Sequence, residues 1–205
     1  MPAKIVPIET GIADAARVIR AGGVVALPTD TVYGIGVDPS NRDAIRRLFH
    51  IKRRDGARPI PILLADVTNI GNVCDSPSEI AMRLAEEFLP GPLTLVVPLS
   101  AELPRELTAG SGTVGVRVPN HDLARDFIRA CGGMLAVTSA NISGEPPAVC
   151  VPDLSPEVLR AVDVVLDGGP TPGGAASTVV DARMEPAVVL RNGPLTAADL
   201  GVSRR

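Results

Sequence analysis

The chain has 205 residues, 45% of them hydrophobic and 21% charged, and a net charge of −3. That composition is ordinary for a soluble globular protein, and the length suits one large domain. No run of ~18 apolar residues offers a membrane span, the Met1-Pro2-Ala3-Lys4 start lacks a signal-peptide core, and a total of −3 argues against a surface given over wholly to nucleic acid. In chain order, Lys4 to Ile8 reads as an edge strand, and Ile12, Ala15, Ala16 and Ile19 recur at helical spacing until Gly22-Gly23. Val24 to Leu27 is a buried strand closed by Pro28, and a helix from about Asp43 to Lys52 puts Ala44, Ile45, Leu48 and Ile51 on one face. Ile60 to Leu64 is a strand. Ser76-Pro77-Ser78-Glu79 has capping-box spacing and opens a helix through Ile80, Leu84 and Phe88. Strands at Thr94 to Leu99 and Thr113 to Val118 follow, then a helix through Leu123, Phe127 and Ile128 that ends at Gly132-Gly133. Met134 to Val137, Val162 to Leu166, Thr178 to Asp181 and Val188 to Leu190 complete the strands.

Interleaved helices and apolar strands make the class α/β with a twisted open sheet. The Thr94 and Thr113 strands, and the last two, are joined by short loops without helices, so those pairs are antiparallel and the sheet is mixed. One internal echo stands out: Ile19 to Thr29 and Ile128 to Ser139 each run from a helix end through a double glycine and an apolar strand to hydroxyl residues. It places two hydroxyl clusters at carboxyl ends of strands, where open α/β sheets bind ligands. The three cysteines (Cys74, Cys131, Cys150) have no CxxC spacing and read as reduced thiols of a cytoplasmic protein.

Five clusters can carry chemistry. Pro28 to Gly36 crowds Thr29, Asp30, Thr31 and the only tyrosine, Tyr33, into a loop that is either a self-satisfied turn or a site. Residues 46 to 58 hold Arg46, Arg47, Lys52, Arg53, Arg54 and Arg58 against Asp55 alone, a local charge of +5. Lys52 is one of only two lysines in a chain with 18 arginines, which hints that a compact ammonium is wanted there. Arg117 sits inside a buried-looking strand and needs either an internal carboxylate or a ligand carboxylate. Thr138-Ser139-Ala140-Asn141-Ile142-Ser143 supplies hydroxyls and an amide after a strand. The Gly168 to Thr178 segment either shows backbone N–H groups to an anion or only makes a tight loop. No Walker A loop, no GxGxxG, no GxSxG elbow and no metal-ligand spacing occurs, and His50 and His121 are isolated.

Six stretches in order resemble the YrdC/TsaC-type threonylcarbamoyl-AMP synthases: Pro28 to Gly34, Lys52-Arg53-Arg54, Pro90 to Thr94, Thr113 to Pro119, Thr138 to Gly144 and Ser177 to Asp181. The resemblance implies a YrdC-like (DHBP-synthase-like) fold over residues 5–193 around a concave basic cavity, with 194–205 as a C-terminal tail and no second domain. It also implies a cytoplasmic nucleotidyltransferase that makes threonylcarbamoyl-AMP and pyrophosphate from L-threonine, bicarbonate and ATP, with Mg2+ accompanying the ATP and no protein-held metal. The product would pass to tRNA threonylcarbamoyl-transfer proteins that modify the adenosine beside the anticodon. By resemblance, Lys52 and Arg54 are catalytic; Arg54, Arg58, Thr113, Ser139, Asn141 and Arg191 contact ATP; and Thr31, Arg117 and Ser177 hold threonine. Asp55, Arg58 and Leu63 depart from the residues usual at their places. A competing reading is an RNA-binding protein that uses the basic 46–58 segment on tRNA or double-stranded RNA; with aromatics at 2% it has no stacking platform.

Overall fold

The computed structural model describes residues 3–53 and 58–204. In chain order the elements are β1 (Lys4–Pro7), α1 (Ile8–Arg20), β2 (Val25–Leu27), β3 (Gly34–Val37), α2 (Arg42–Ile51), β4 (Ile62–Leu64), α3 (Glu79–Phe88), β5 (Leu93–Pro98), α4 (Arg105–Thr108), β6 (Thr113–Arg117), α5 (Asp122–Ala130), β7 (Met134–Ser139), α6 (Pro156–Ala161), β8 (Val164–Asp167), β9 (Thr178–Asp181), β10 (Val188–Arg191), α7 (Ala197–Leu200) and β11 (Ser203–Arg204). All the strands join one mixed sheet in the order β1-β8-β2-β3-β7-β4-β6-β5-β9-β10-β11. The two pairs expected from their short loops, β5 with β6 and β9 with β10, are antiparallel.

The apolar periodicities explain which helix covers which face. Ile8, Ala15, Ala16 and Ile19 of α1 and Ala124, Phe127 and Ile128 of α5 pack on Leu27, Leu63, Leu135 and Leu166. On the opposite face, Ile45 and Leu48 of α2 and Leu84 of α3 join a larger core with Ala26, Ile35, Ile62 and Leu95. Strand β2 contributes Val25 and Leu27 to one core and Ala26 to the other. That is why its sequence is an unbroken apolar run and not an alternation. Each leucine, isoleucine, valine or phenylalanine fully buried this way contributes roughly 1.5–3 kcal/mol.

The double glycines of the echo do the same job twice. Gly22 has φ +82° after α1, and Gly132 and Gly133 have φ +101° and +91° after α5. Gly23 N–H and Gly133 N–H donate back to the Val18 and Ile128 carbonyls, closing each helix before the chain turns into a strand. Two helix starts differ from the sequence expectation, and several strand limits shift by one or two residues. Helix α1 begins at Ile8, directly after β1. The cap of α3 is Ser78, itself extended, whose Oγ accepts from Ala81 N–H at 3.1 Å. Beyond residue 193 the chain continues into α7, with Leu200 buried, and into β11, which pairs in parallel with β10. No helix among the described residues is long and apolar enough to cross a membrane.

Candidate functional site

A cavity of about 400 Å3 is lined by residues from several strands of the sheet and the loops beside them. Its wall includes Arg58, Arg117 and Arg191, the hydroxyls of Thr31, Thr94, Ser139 and Ser177, and an apolar patch of Pro61, Leu63 and Val137. No carboxylate lines it among the described residues. The strands that bring these groups form one consecutive run of the sheet order, β3-β7-β4-β6-β5-β9-β10. Arg117, on β6, hydrogen-bonds Thr31 in the loop before β3, three places away in that order.

Arg117 is 6% exposed and held on three sides. Its Nε donates to Gly91 O at 3.0 Å, Nη1 to Thr31 Oγ1 at 2.9 Å, and Nη2 to Asp30 Oδ1 at 2.5 Å. Of the two readings the sequence left open, the internal carboxylate is therefore present. A guanidinium has five N–H groups, so the two terminal nitrogens each keep one for the cavity. Burial pulls its pKa down, Asp30 opposes that, and the neighbouring Arg191 adds to it.

Ser177 and Arg191 form the adjoining wall. Arg191 Nε and Nη2 donate to Ser177 O at 3.1 and 2.8 Å, which positions the Ser177 hydroxyl against Thr94 Oγ1 at 2.7 Å. Thr94 is buried and faces the cavity, yet nothing in the sequence marks it beyond its place in the Pro90 to Thr94 stretch. Burial also lowers the pKa of Arg191, and a guanidinium stays cationic in a protein.

Lys52 is 4% exposed at the C-cap of α2. Its Nζ donates to Ser139 O at 2.8 Å, Ser139 Oγ at 3.2 Å and Asn141 Oδ1 at 2.5 Å, and Ser139 Oγ donates to Asn141 Oδ1 at 2.7 Å. The compact ammonium thus knits the end of β7 behind the cavity, where Ser139 lines the wall and Lys52 and Asn141 do not. Thr113 is also outside the lining, with its hydroxyl 3.0 Å from that of Ser111. Arg58 is exposed at the mouth. Arg54 and Asp55 lie outside the described residues.

From Gly168 to Gly174 the glycine-rich loop is a tight support. Gly168 and Gly169 N–H donate to Tyr33 OH and Asp167, and Thr171 and Gly174 N–H donate to the Val149 and Thr31 carbonyls. Gly173 presses against the Thr31 backbone so closely that a Cβ there would fall 2.7 Å from Asp30 O and 2.9 Å from Thr31 Cα. Tyr33 fastens the loop from the other side, its hydroxyl donating to Gly169 O at 2.8 Å. Thr29 satisfies the turn itself, accepting from Thr31 and Val32 N–H, while Thr31 and Tyr33 turn to the cavity.

A family model described as "Telomere recombination", covering Sua5, YciO and YrdC, matches residues 17–193. The chain belongs to this family. A threonylcarbamoyl-AMP synthase of Pyrococcus abyssi is 38% identical over 94% of this chain and 56% of its own length. One from Bacillus subtilis is 37% identical over 90% of this chain and 54% of its own. The structure of P. abyssi Sua5 complexed with L-threonine superposes with a TM-score of 0.93 at 35% identity, covering 98% of this chain and 62% of that one. The chain thus spans just over half the length of these two relatives. The α/β class and twisted open sheet read from the sequence agree with the Sua5 fold.

Within this Sua5/YciO/YrdC scaffold, the described cations of the +5 segment divide between paired, buried and exposed positions, with Arg53 and Arg58 among the exposed ones. Arg46 pairs with Asp43 and Glu106, Arg47 chelates Asp163, and Lys52 is buried. His121 caps α5 by accepting from Ala124 N–H, and the three cysteines are free thiols. Among the described residues no group of three or more His, Cys, Asp or Glu could hold a metal ion.

Proposed function

We propose that the chain carries threonylcarbamoyl-AMP synthase activity: L-threonine, bicarbonate and ATP give threonylcarbamoyl-AMP, pyrophosphate and water. The observation that carries the reading is the convergence of Thr31, Arg117, Ser177, Arg191, Ser139 and Arg58 on one carboxylate-free cavity. In a family whose relatives bear that name, this suits substrates that all present anions. The Arg117 N–H groups left over from Asp30, Thr31 and Gly91 suit the threonine α-carboxylate, with Thr31 and Ser177 beside it. Arg191, Arg58 and Ser139 suit the nucleotide. Lys52 and Asn141 lie outside the wall and hold Ser139 from behind, Thr113 lies outside the wall, and Arg54 belongs to the same proposed phosphate-binding set.

The chemistry needs no covalent enzyme intermediate. The threonine amine forms an N–C bond to bicarbonate carbon and water departs, giving a carbamate. A carbamate oxygen then bonds the α-phosphorus as the bond to pyrophosphate breaks. The protein's part is to hold both reactants aligned and to stabilise charge on the phosphates with fixed cations and hydroxyls. With no carboxylate in the described lining, the wall does not fit a protein-held magnesium ion; Mg2+ would come with ATP, bound by phosphate oxygens and water. The product would serve cytoplasmic proteins that transfer the threonylcarbamoyl group to tRNA. Pyrophosphate release, assayed with L-threonine and bicarbonate each omitted in turn, tests the reading. Release that requires both is expected; release indifferent to threonine refutes it.

A further inference from the structure

Among the described residues three guanidiniums line the cavity, and of these only Arg117 is charge-compensated. Asp30 is itself not part of the wall: it stands behind Arg117, 8% exposed, in a buried ion pair. Arg191 donates only to Ser177, and neither it nor Arg58 forms an ion pair among the described residues. The charge of the cavity is therefore uneven. Around Arg117 there are donors with little net charge; around Arg191 and Arg58 there is uncompensated positive charge. Arg191 lies close enough to Arg117 to disfavour its protonation, so without Asp30 the two guanidiniums would form one continuous cationic surface.

The two classes of ligand in the proposed reaction differ in this respect. An amino acid is a zwitterion with no net charge, whereas a polyphosphate carries several negative charges. We infer that Asp30 is a specificity-determining residue, because compensating Arg117 makes that side of the cavity accept a zwitterionic amino acid and turn away phosphate. Polyphosphate is left to Arg58 and Arg191. The carboxylate never touches the substrate; it acts through the charge of Arg117. This inference rests on the proposed function and assigns a charge-sorting role inside it.

The test is L-threonine binding, measured by calorimetry on the folded protein with inorganic phosphate as competitor and sodium chloride as the ionic-strength control. Asp30→Asn keeps the oxygen that accepts from Arg117 and removes only the charge. In the wild type, phosphate should weaken threonine binding no more than matched chloride does. In Asp30→Asn, phosphate should become a competitor of L-threonine with an inhibition constant at least tenfold lower than in the wild type. Asp30→Glu, which restores the charge, should exclude phosphate again. A gain below tenfold in Asp30→Asn overturns the inference and assigns the ion pair to stability alone. If Asp30→Asn does not fold, competitive displacement of L-threonine by phosphate from the wild type or Asp30→Glu overturns it equally. Failure of the wild type to bind L-threonine is a different result: it brings down the proposed function, and the inference with it.

Discussion

Replacing Tyr33 by Phe isolates the latch between the glycine-rich loop and the cavity. The ring is fully buried, so phenylalanine fills the same space and only the hydroxyl is lost. That hydroxyl donates to Gly169 O at 2.8 Å and accepts from Gly168 N–H at 3.2 Å; Asp167, at 3.5 Å, is too distant to add much. Two backbone groups lose their partner. At about 1 kcal/mol for each bond, with a further share for leaving part-buried groups unsatisfied, the loss is roughly 2–3 kcal/mol. In a chain of this size that lowers Tm by roughly 4–12 °C. Burial, the largest influence on the phenol, helps push its pKa to about 12, so the group is a neutral donor at every pH at which the protein would be assayed. The destabilisation should accordingly be the same at pH 6 and pH 8. Urea unfolding followed by circular dichroism gives the stability, and pyrophosphate release gives KM for L-threonine, which should rise several-fold because the freed loop also donates to Thr31 O from Gly174 and Thr171. A stability loss under about 0.5 kcal/mol, the scatter of a surface substitution, would show that water replaces the hydroxyl and that Tyr33 is no latch.

Lys52→Arg should cut pyrophosphate release by about a hundredfold, near 2.7 kcal/mol of barrier, while the far-UV spectrum stays native. A guanidinium cannot occupy the place where one ammonium meets Ser139 and Asn141, and unchanged activity would remove Lys52 from its assigned role. Gly173→Ala sets a Cβ against the Asp30 and Thr31 backbone, which cannot swing aside as a side chain would; we expect about 1–3 kcal/mol lost and a weaker affinity for L-threonine, read by calorimetry, and wild-type values for both would refute the close packing. Asp163→Asn tests a surface-linked pair by pH. Burial works to raise the Asp163 pKa, but Arg47 and the Val24 N–H outweigh it and hold the carboxyl below its ordinary value. A depressed folded-state pKa gives stability that is present above the unfolded pKa and disappears as pH falls through the folded one. The stability gap between wild type and Asp163→Asn should thus be full at pH 7 and close below about pH 4; a gap that persists at pH 2 would contradict the pairing.

How far the molecule can be read from its sequence differs element by element. Helices α1, α2 and α5 are legible because their apolar residues recur at helical spacing, and α1 and α5 are also closed by Gly22-Gly23 and Gly132-Gly133. Strand β3 was not: Gly34 and Gly36 give it the composition of a turn. The structure shows why glycine is needed, since a Cβ on Gly34 would fall 2.5 Å from Val137 Cγ1 in the neighbouring strand. The capping-box spacing at Ser76 was real as a pattern but lost to Ser78, itself extended. In the site, Thr31, Arg117, Ser139, Ser177, Arg191 and Arg58 were found by residue type and family likeness, and they do meet. The pairings of Asp30 with Arg117 and of Thr94 with Ser177 are not legible, because 87 and 83 residues separate the partners. No local pattern encodes such a pairing.

The echo between Ile19–Thr29 and Ile128–Ser139 gains its meaning from the sheet. β2 and β7 both lie antiparallel to β3 between them, so the two strands run the same way and release their hydroxyl clusters at the same edge. Thr29 and Thr31 from the first, and Thr138 and Ser139 from the second, consequently face one cavity from adjacent positions. What differs between the two copies is the residue that holds the cluster in place: Arg117 grips Thr31, and Lys52 grips Ser139. A fork-shaped cation backed by a carboxylate on one side, and a compact ammonium backed by an amide oxygen on the other, turn two similar strand ends into chemically distinct halves of one site. On this argument exchanging the two cations, with Lys at 117 and Arg at 52, should fail to restore what either single replacement loses, since the difference lies in their partners and not in total charge.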